Sequence, residues 1–185
     1  CAEPFENEGS PEANLIKQVK RAMAAVYSRA LSDRITLAKH HVLGKGFTLS
    51  PPPFGLLRQV VDRAGRPIQI LARGELKATS AHRTVFTPGP PEAVATVRAI
   101  FRLYAVTGLS LRAIAAQLNA EDAPSPTGRG WDVSRLQRVL RQEAYAGTYV
   151  YGRVRYRLGV ACKAPPQAWR RIEQAIPPII DRRIF

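Results

Sequence analysis

The sequence holds only two cysteines, Cys1 and Cys162, far apart and with no CxxC spacing. That excludes a disulfide framework and a structural zinc site, both of which need clustered ligands. Two idle reduced thiols are the plain reading. Histidine is scarce as well. His40 and His41 are adjacent, so on a helix they point in different directions, and His82 is isolated. None has a carboxylate at a spacing useful for acid–base work, and the carboxylates never gather into pairs. Ser10, Ser28, Ser32 and Ser50 have no evident base beside them, and a hydroxyl nucleophile needs activation. The glycines form neither a P-loop nor a dinucleotide fingerprint. No catalytic residue, metal site or cofactor is therefore expected within the chain. No apolar run approaches the ~18 residues of a membrane span, and no signal peptide is visible. The opening CAEPFENEGS lacks an initiator methionine, as a piece cut from a longer protein would.

Negative charge is the other shortage. There are 14 Asp and Glu against 28 Lys and Arg, a net charge of +14. Glu3, Glu6, Glu8 and Glu12 all fall within the first 16 residues, where there is no cation, so the remainder is more basic still. A pI near 10.7 means strong attraction to polyanions, with nucleic acid the leading partner and an anionic membrane surface the competitor. Arginine dominates after residue 50. Its planar fork suits phosphate and guanine, whereas the Lys-rich cluster beside a greasy anchor that marks membrane binding is missing.

What is present is enough for one medium domain, or a small domain plus an extension: 185 residues, 45% hydrophobic. Ser10 and Pro11 open a helix that runs to about Leu43, where LGKG stops it. Ile16, Val19, Met23, Val26 and Ala30 recur at steps of three and four, and Leu37 extends the row. Lys17, Lys20, Arg21, Ser28 and Ser32 are placed on roughly the opposite face. A rod of this length cannot be covered by so small a chain, so part of its aliphatic row is expected to meet something outside. The prolines of TLSPPPFG make residues 48–55 a stiff linker and a domain boundary.

Two β-rich runs then flank DRAGRP, which is hairpin chemistry, and RTVF at 83–86 is a further short strand. Pro91 and Glu92 open a helix to about Ala105 with Val94, Val97, Ile100, Phe101 and Tyr104 on one face. Ser110 caps a second helix burying Leu111, Ile114, Ala115 and Leu118, and Asp132 caps a third with Val133, Leu136 and Leu140 inward. Ser134, Arg135, Arg138, Arg141 and Gln142 spread over the outer arc of that third helix. YAGTYVYGRVRYR follows as an alternating strand, and AWRRIEQAIPPIIDRRIF as a short strand and then the start of a helix at 179–185.

Helix, loop, Arg-rich helix and strand is the layout of a winged helix-turn-helix variant. A helix fits the major groove, and Arg138 and Arg141, one turn apart, face it together. The alternative is a solvated arginine face on an ordinary three-helix bundle. Thr127 and Arg129 of TGRGW offer a phosphate site beside a helix N-terminus, or a plain loop with Trp131 plugging the core. Arg153, Arg155 and Arg157 alternate along one strand face as a phosphate-tracking wing, or as a charge-protected edge. The fold class expected is α+β and mainly α: a long N-terminal helix, then a helical DNA-binding domain with small β-hairpins.

The motifs also line up with a family. FENEGSPEANLIKQVKRAMAAVYSRALS resembles the end of the catalytic domain and the long helix after it in large serine recombinases, the phage integrases and related transposases. PPPFGLLRQVVD, LARGELKATSAHRTVFTPGP, NAEDAPSPTGRGWDVSRLQRVLRQEAYAGTYVYGR and IIDRRIF resemble successive blocks of that family's recombinase domain, in order and over nearly the whole chain. The resemblance implies residues 1–47 as the end of the catalytic domain plus the long helix, and 56–178 as the recombinase domain. It implies a homodimer through Ile16, Val19, Met23, Val26 and Ala30, a tetramer on synapsis, and Lys17, Lys20, Arg21 and Arg29 near the crossover site in double-stranded DNA. It places the nucleophilic serine, which attacks DNA phosphate, upstream of these residues, and a zinc ribbon and coiled coil downstream. A bacterial or phage protein acting in the cytoplasm on attachment-site DNA, from a prophage or other mobile element, is the implied setting. One block departs from the family's usual A-E-Y-S-R-E-L-S: Val26 and Ala30 stand where glutamates are common, which widens the apolar row and removes two anions. The competing reading is a non-enzymatic winged-helix regulator that dimerises through its long helix.

Overall fold

In a computed structural model, residues 11–157 and 160–185 are described, and the chain divides into two units, Cys1–Val42 and Leu43–Phe185. The first unit is carried by α1 (Pro11–Gly44), a single helix of 34 residues and about 50 Å. Proline at the first position of α1 costs nothing, because its missing N–H has no intrahelical acceptor there. Every residue from 18 to 41 is exposed. Ile16, Val19, Met23 and Val26 keep half or more of their surface in solvent, and Ala30 is exposed in the same row. At 100° per residue Lys20 borders this row as the i+4 neighbour of Ile16, while Lys17, Arg21, Ser28 and Ser32 lie further round.

The second unit is α+β. A three-stranded antiparallel sheet of order β2–β1–β3 is formed by β1 (Leu56–Val61), β2 (Pro67–Leu71) and β3 (Arg83–Pro88). β1 and β2 make the hairpin expected around DRAGRP. Asp62 fixes its turn, accepting from the Ala64 and Arg66 backbone and from Arg66 Nε. The Arg66 backbone bond is the largest reason its carboxyl titrates below the ordinary range. Three helices follow: α2 (Pro91–Ala105), α3 (Leu111–Ala120) and α4 (Val133–Leu140). Ser110 Oγ accepts from Ala113 N, and Asp132 accepts from Arg135 N, so both predicted caps form.

The inner faces of α2–α4 meet in one core. Val97, Ile100, Ile114, Leu118 and Leu136 are essentially sealed from water, with Leu43, Phe86, Trp131 and Tyr145 around them. Inward assignments change on all three helices, and on α3 Leu111 is only half-buried. On α2, Leu103 is buried and Tyr104 is half exposed. On α4, Val139 joins Leu136 inside, whereas Val133 and Leu140 are only half-buried.

The alternating run after α4 is not one strand. Glu143–Ala146 forms a turn of 3-10 helix that buries Tyr145. Gly147 then reverses the chain at φ +93, a left-handed conformation in which a Cβ would also sit 3.2 Å from Ile176 O. β4 (Tyr149–Tyr151) pairs with β7 (Arg170–Ile172), and β5 (Val154–Arg157) pairs with β6 (Val160–Lys163) as a separate hairpin. Asp181 closes the last turn, its side chain accepting from Arg183 N and its carbonyl from Ile184 N.

Within the second unit, two tyrosines fasten residues 48–55 to the rest. Tyr149 Oη accepts from Leu49 N at 2.9 Å and Ser50 N at 3.0 Å, and Tyr145 Oη donates to Phe54 O at 2.7 Å. Burial pushes the Tyr145 phenol well above its usual pKa, so it is a fixed donor. Phe54 packs edge-on against Trp131 at 5.5 Å. Replacing Tyr149 with phenylalanine strands two partly buried N–H groups. We expect a loss of about 1 kcal/mol, read as a lower urea midpoint with an unchanged m-value.

Candidate nucleic-acid interface

α4 is held at its N-terminal end and along its inner side. Asn119, near the end of α3, makes a two-point clamp on Trp131: its Oδ1 accepts from Trp131 N at 2.6 Å and its Nδ2 donates to Trp131 O at 2.9 Å. Gly130 makes room for that amide. A Cβ there would lie 2.8 Å from Asn119 Oδ1, at a φ of +73. Asp132 caps the helix one residue later. Leu136 and Val139 anchor the inner face.

The remaining surface of α4 is outward. Ser134, Gln137, Arg138 and Arg141 are exposed at i, i+3, i+4 and i+7, one continuous face. VSRLQRVL contains no carboxylate. Among the described residues, no hydrogen bond, ion pair or ring contact engages the Arg138 or Arg141 guanidinium. Gln137 carries no charge to mark it in the sequence, although its place between Ser134 and Arg141 follows from the same periodicity.

Other sequence candidates divide into open and engaged groups. Thr127, Arg129 and Arg155 are exposed. Arg135 is spent locally, with Nη1 donating to Gly130 O at 2.8 Å and pairing with Asp132 at 3.0 Å. Arg153 does not continue the face of Arg155. It pairs with Glu143 at 3.1 Å and stacks over Trp169, which Arg171 covers from 5.3 Å while also binding Glu143. Gln142 is half-buried, between α4 and the 3-10 turn. The Arg157 side chain lies outside the described residues. Within the first unit, Lys20, Arg21 and Arg29 are exposed and Lys17 is half-exposed.

A residue the sequence did not flag joins two loops. Arg73, just after β2, donates Nη1 to Pro126 O at 2.8 Å. The β2–β3 loop is thereby tied to the loop that carries Thr127 and Arg129 and leads into α4.

Among the described residues, no His, Cys, Asp and Glu cluster could hold a metal, and no helix is long and apolar enough to cross a membrane. Comparison with curated proteins gave no match. A family model described as Recombinase matches residues 91–185, which is α2 through to the final turn and just over half the chain. That match, together with the serine-recombinase blocks in the sequence, makes this chain a member of the Recombinase family, with a role in DNA recombination.

Proposed function

We propose that the second unit binds recombination-site DNA by laying α4 in the major groove, and that the chain is the DNA-recognising part of a site-specific serine recombinase. The outward face of α4 carries this reading: an exposed run of Ser134, Gln137, Arg138 and Arg141 with two unengaged guanidiniums and no acid, on a helix anchored at its N-terminus and along its inner face. Arginine pairs bidentately with guanine O6 and N7, and glutamine with adenine N6 and N7. α3, the long loop and α4, with the β5–β6 hairpin following, match a winged helix-turn-helix layout. Thr127, Arg129 and Arg155 then serve phosphates on either side, and Gln142 borders the base-reading face. Arg135 and Arg153 act chiefly as struts, one holding the loop to α4 and the other holding Glu143 and Trp169.

The first unit supplies the second half of the proposal. Ile16, Val19, Met23, Val26 and Ala30 follow the alternating three-and-four spacing of a two-helix seam, and Asp33 occupies the next seam position. A twin copy of α1 covers this row over its first half, with Lys17, Lys20, Arg21 and Arg29 left for DNA near the crossover point. Strand cleavage belongs to a serine nucleophile outside these residues, as the family resemblance implies.

Selection from a random duplex pool tests the first half. Enrichment of a motif containing G:C and A:T steps spaced for one helix face supports it, and a pool that stays random contradicts it. Sedimentation tests the second. Met23→Glu buries a charge in each half of the seam and is expected to leave the chain monomeric. Identical association of variant and parent would rule out the seam.

A further inference from the structure

The loop between β2 and β3 contains a second place where cations are crowded together. Lys77 Nζ donates to His82 O at 2.7 Å and reaches Ser80 O at 3.4 Å. Arg83 Nη1 donates to the same two carbonyls, at 2.6 Å to Ser80 O and 3.2 Å to His82 O. Sharing one oxygen keeps the two charged nitrogens no more than about 6 Å apart, a separation at which like charges repel appreciably. No carboxylate relieves them. Glu75 is the loop's one acid, and its oxygens are taken by Ala72 N at 2.7 Å and Gln69 Nε2 at 3.4 Å. Asp62 is spent on its own turn. Among the described residues neither Lys77 nor Arg83 has an ion pair. Desolvation first, and the Arg83 charge second, hold the Lys77 ammonium below its usual pKa.

Two cations held together by neutral carbonyls have donors left over, since an ammonium has three and a guanidinium five. An anion that takes those donors also removes the repulsion. We propose that Lys77 and Arg83 form a phosphate-binding site on the β2–β3 loop, occupied by a phosphodiester of the same duplex that α4 reads. The Arg73 bond to Pro126 O ties this loop to the one leading into α4, which favours a DNA phosphate over a free anion. The occupant therefore rests on the DNA-binding reading, whereas the site itself rests on the loop geometry.

The test uses the full chain, with Lys77→Gln, Arg83→Gln and the charge-conserving Lys77→Arg, on a duplex selected by the parent. Each glutamine variant is expected to lower the slope of log affinity against log salt by ~0.9, leave base preference unchanged, and melt within a few degrees of the parent. Lys77→Arg is expected to keep the parental slope, and a slope lost in Lys77→Gln but kept in Lys77→Arg is the pattern a merely structural lysine–carbonyl bond does not predict. Parental slopes in both glutamine variants, with no saturable response to inorganic phosphate, overturn the site while leaving the α4 reading intact. Failure of the parent to bind any duplex overturns the α4 reading instead. Inorganic phosphate is titrated in parallel against the amide signals of residues 77–83. Saturable shifts at low millimolar phosphate, with no change in DNA slope, overturn the assignment of the duplex as occupant.

Discussion

Replacing Arg138 with alanine is expected to weaken binding to the preferred duplex by ~1–3 kcal/mol, roughly five- to 150-fold, and to relax preference at one or two base pairs. The residue sits on the exposed face of α4, unengaged by any neighbour among the described residues, one turn from Arg141. Its guanidinium therefore has its fork unspent, as the proposed base contact requires. A phosphate-only role predicts something different: a smaller slope in log affinity against log salt, with equal losses on preferred and random duplexes. Affinities on both duplexes across a salt series separate the two. Arg135 is the internal comparison, because its Nη1 already serves Gly130 O and Asp132. Arg135→Ala is expected to act through the placement of α4, lowering stability and affinity together without relaxing one position.

Asn119→Ala is expected to produce the largest loss of stability among the polar substitutions, ~1–3 kcal/mol. Trp131 is 4% exposed, and removing the clamp leaves both its N–H and its C=O without the partners they have now. Gly130→Ala attacks the same contact from the other side. The new methyl meets Asn119 Oδ1 at 2.8 Å, and the left-handed backbone adds about 1–2 kcal/mol for any L-residue. Because both changes act on one contact, the double variant is expected to lose less than the sum of the singles. Chemical denaturation of the four proteins measures that coupling. Strict additivity would show that the amide clamp does not set the α3–α4 geometry.

The helices were legible because their signals are local. Ser110 and Asp132 announce helix starts whatever the rest of the chain does, and the spacing of Val97, Ile100, Ile114 and Leu118 states which side goes inward. Short elements were harder. On α4 the eight residues give barely two turns, so a small change in phase exchanges Val139 for Leu140. The strand after α4 read as continuous because alternation is all a sequence shows. Its interruption comes from tertiary demands: Tyr145 enters the core and Gly147 turns beneath Ile176 O.

Among the candidate residues, charge proved a guide to type but not to use. Arg135, Arg138 and Arg153 look alike as letters. Only the fold reveals that Gly130 O and Glu143 claim two of them. Gln137 went unmarked because it is neutral, and Arg73 because its acceptor, Pro126 O, is 53 residues away.

The most direct test of the account is methylation interference on the selected duplex. Guanine N7 lies on the floor of the major groove, and adenine N3 in the minor groove. The second unit reading bases through α4 predicts that N7 methylation at one or two guanines blocks binding, and that the Arg138→Ala chain no longer distinguishes methylated from unmethylated DNA at one of them. Interference confined to adenine N3, or a parent chain indifferent to every methylated guanine, would contradict it.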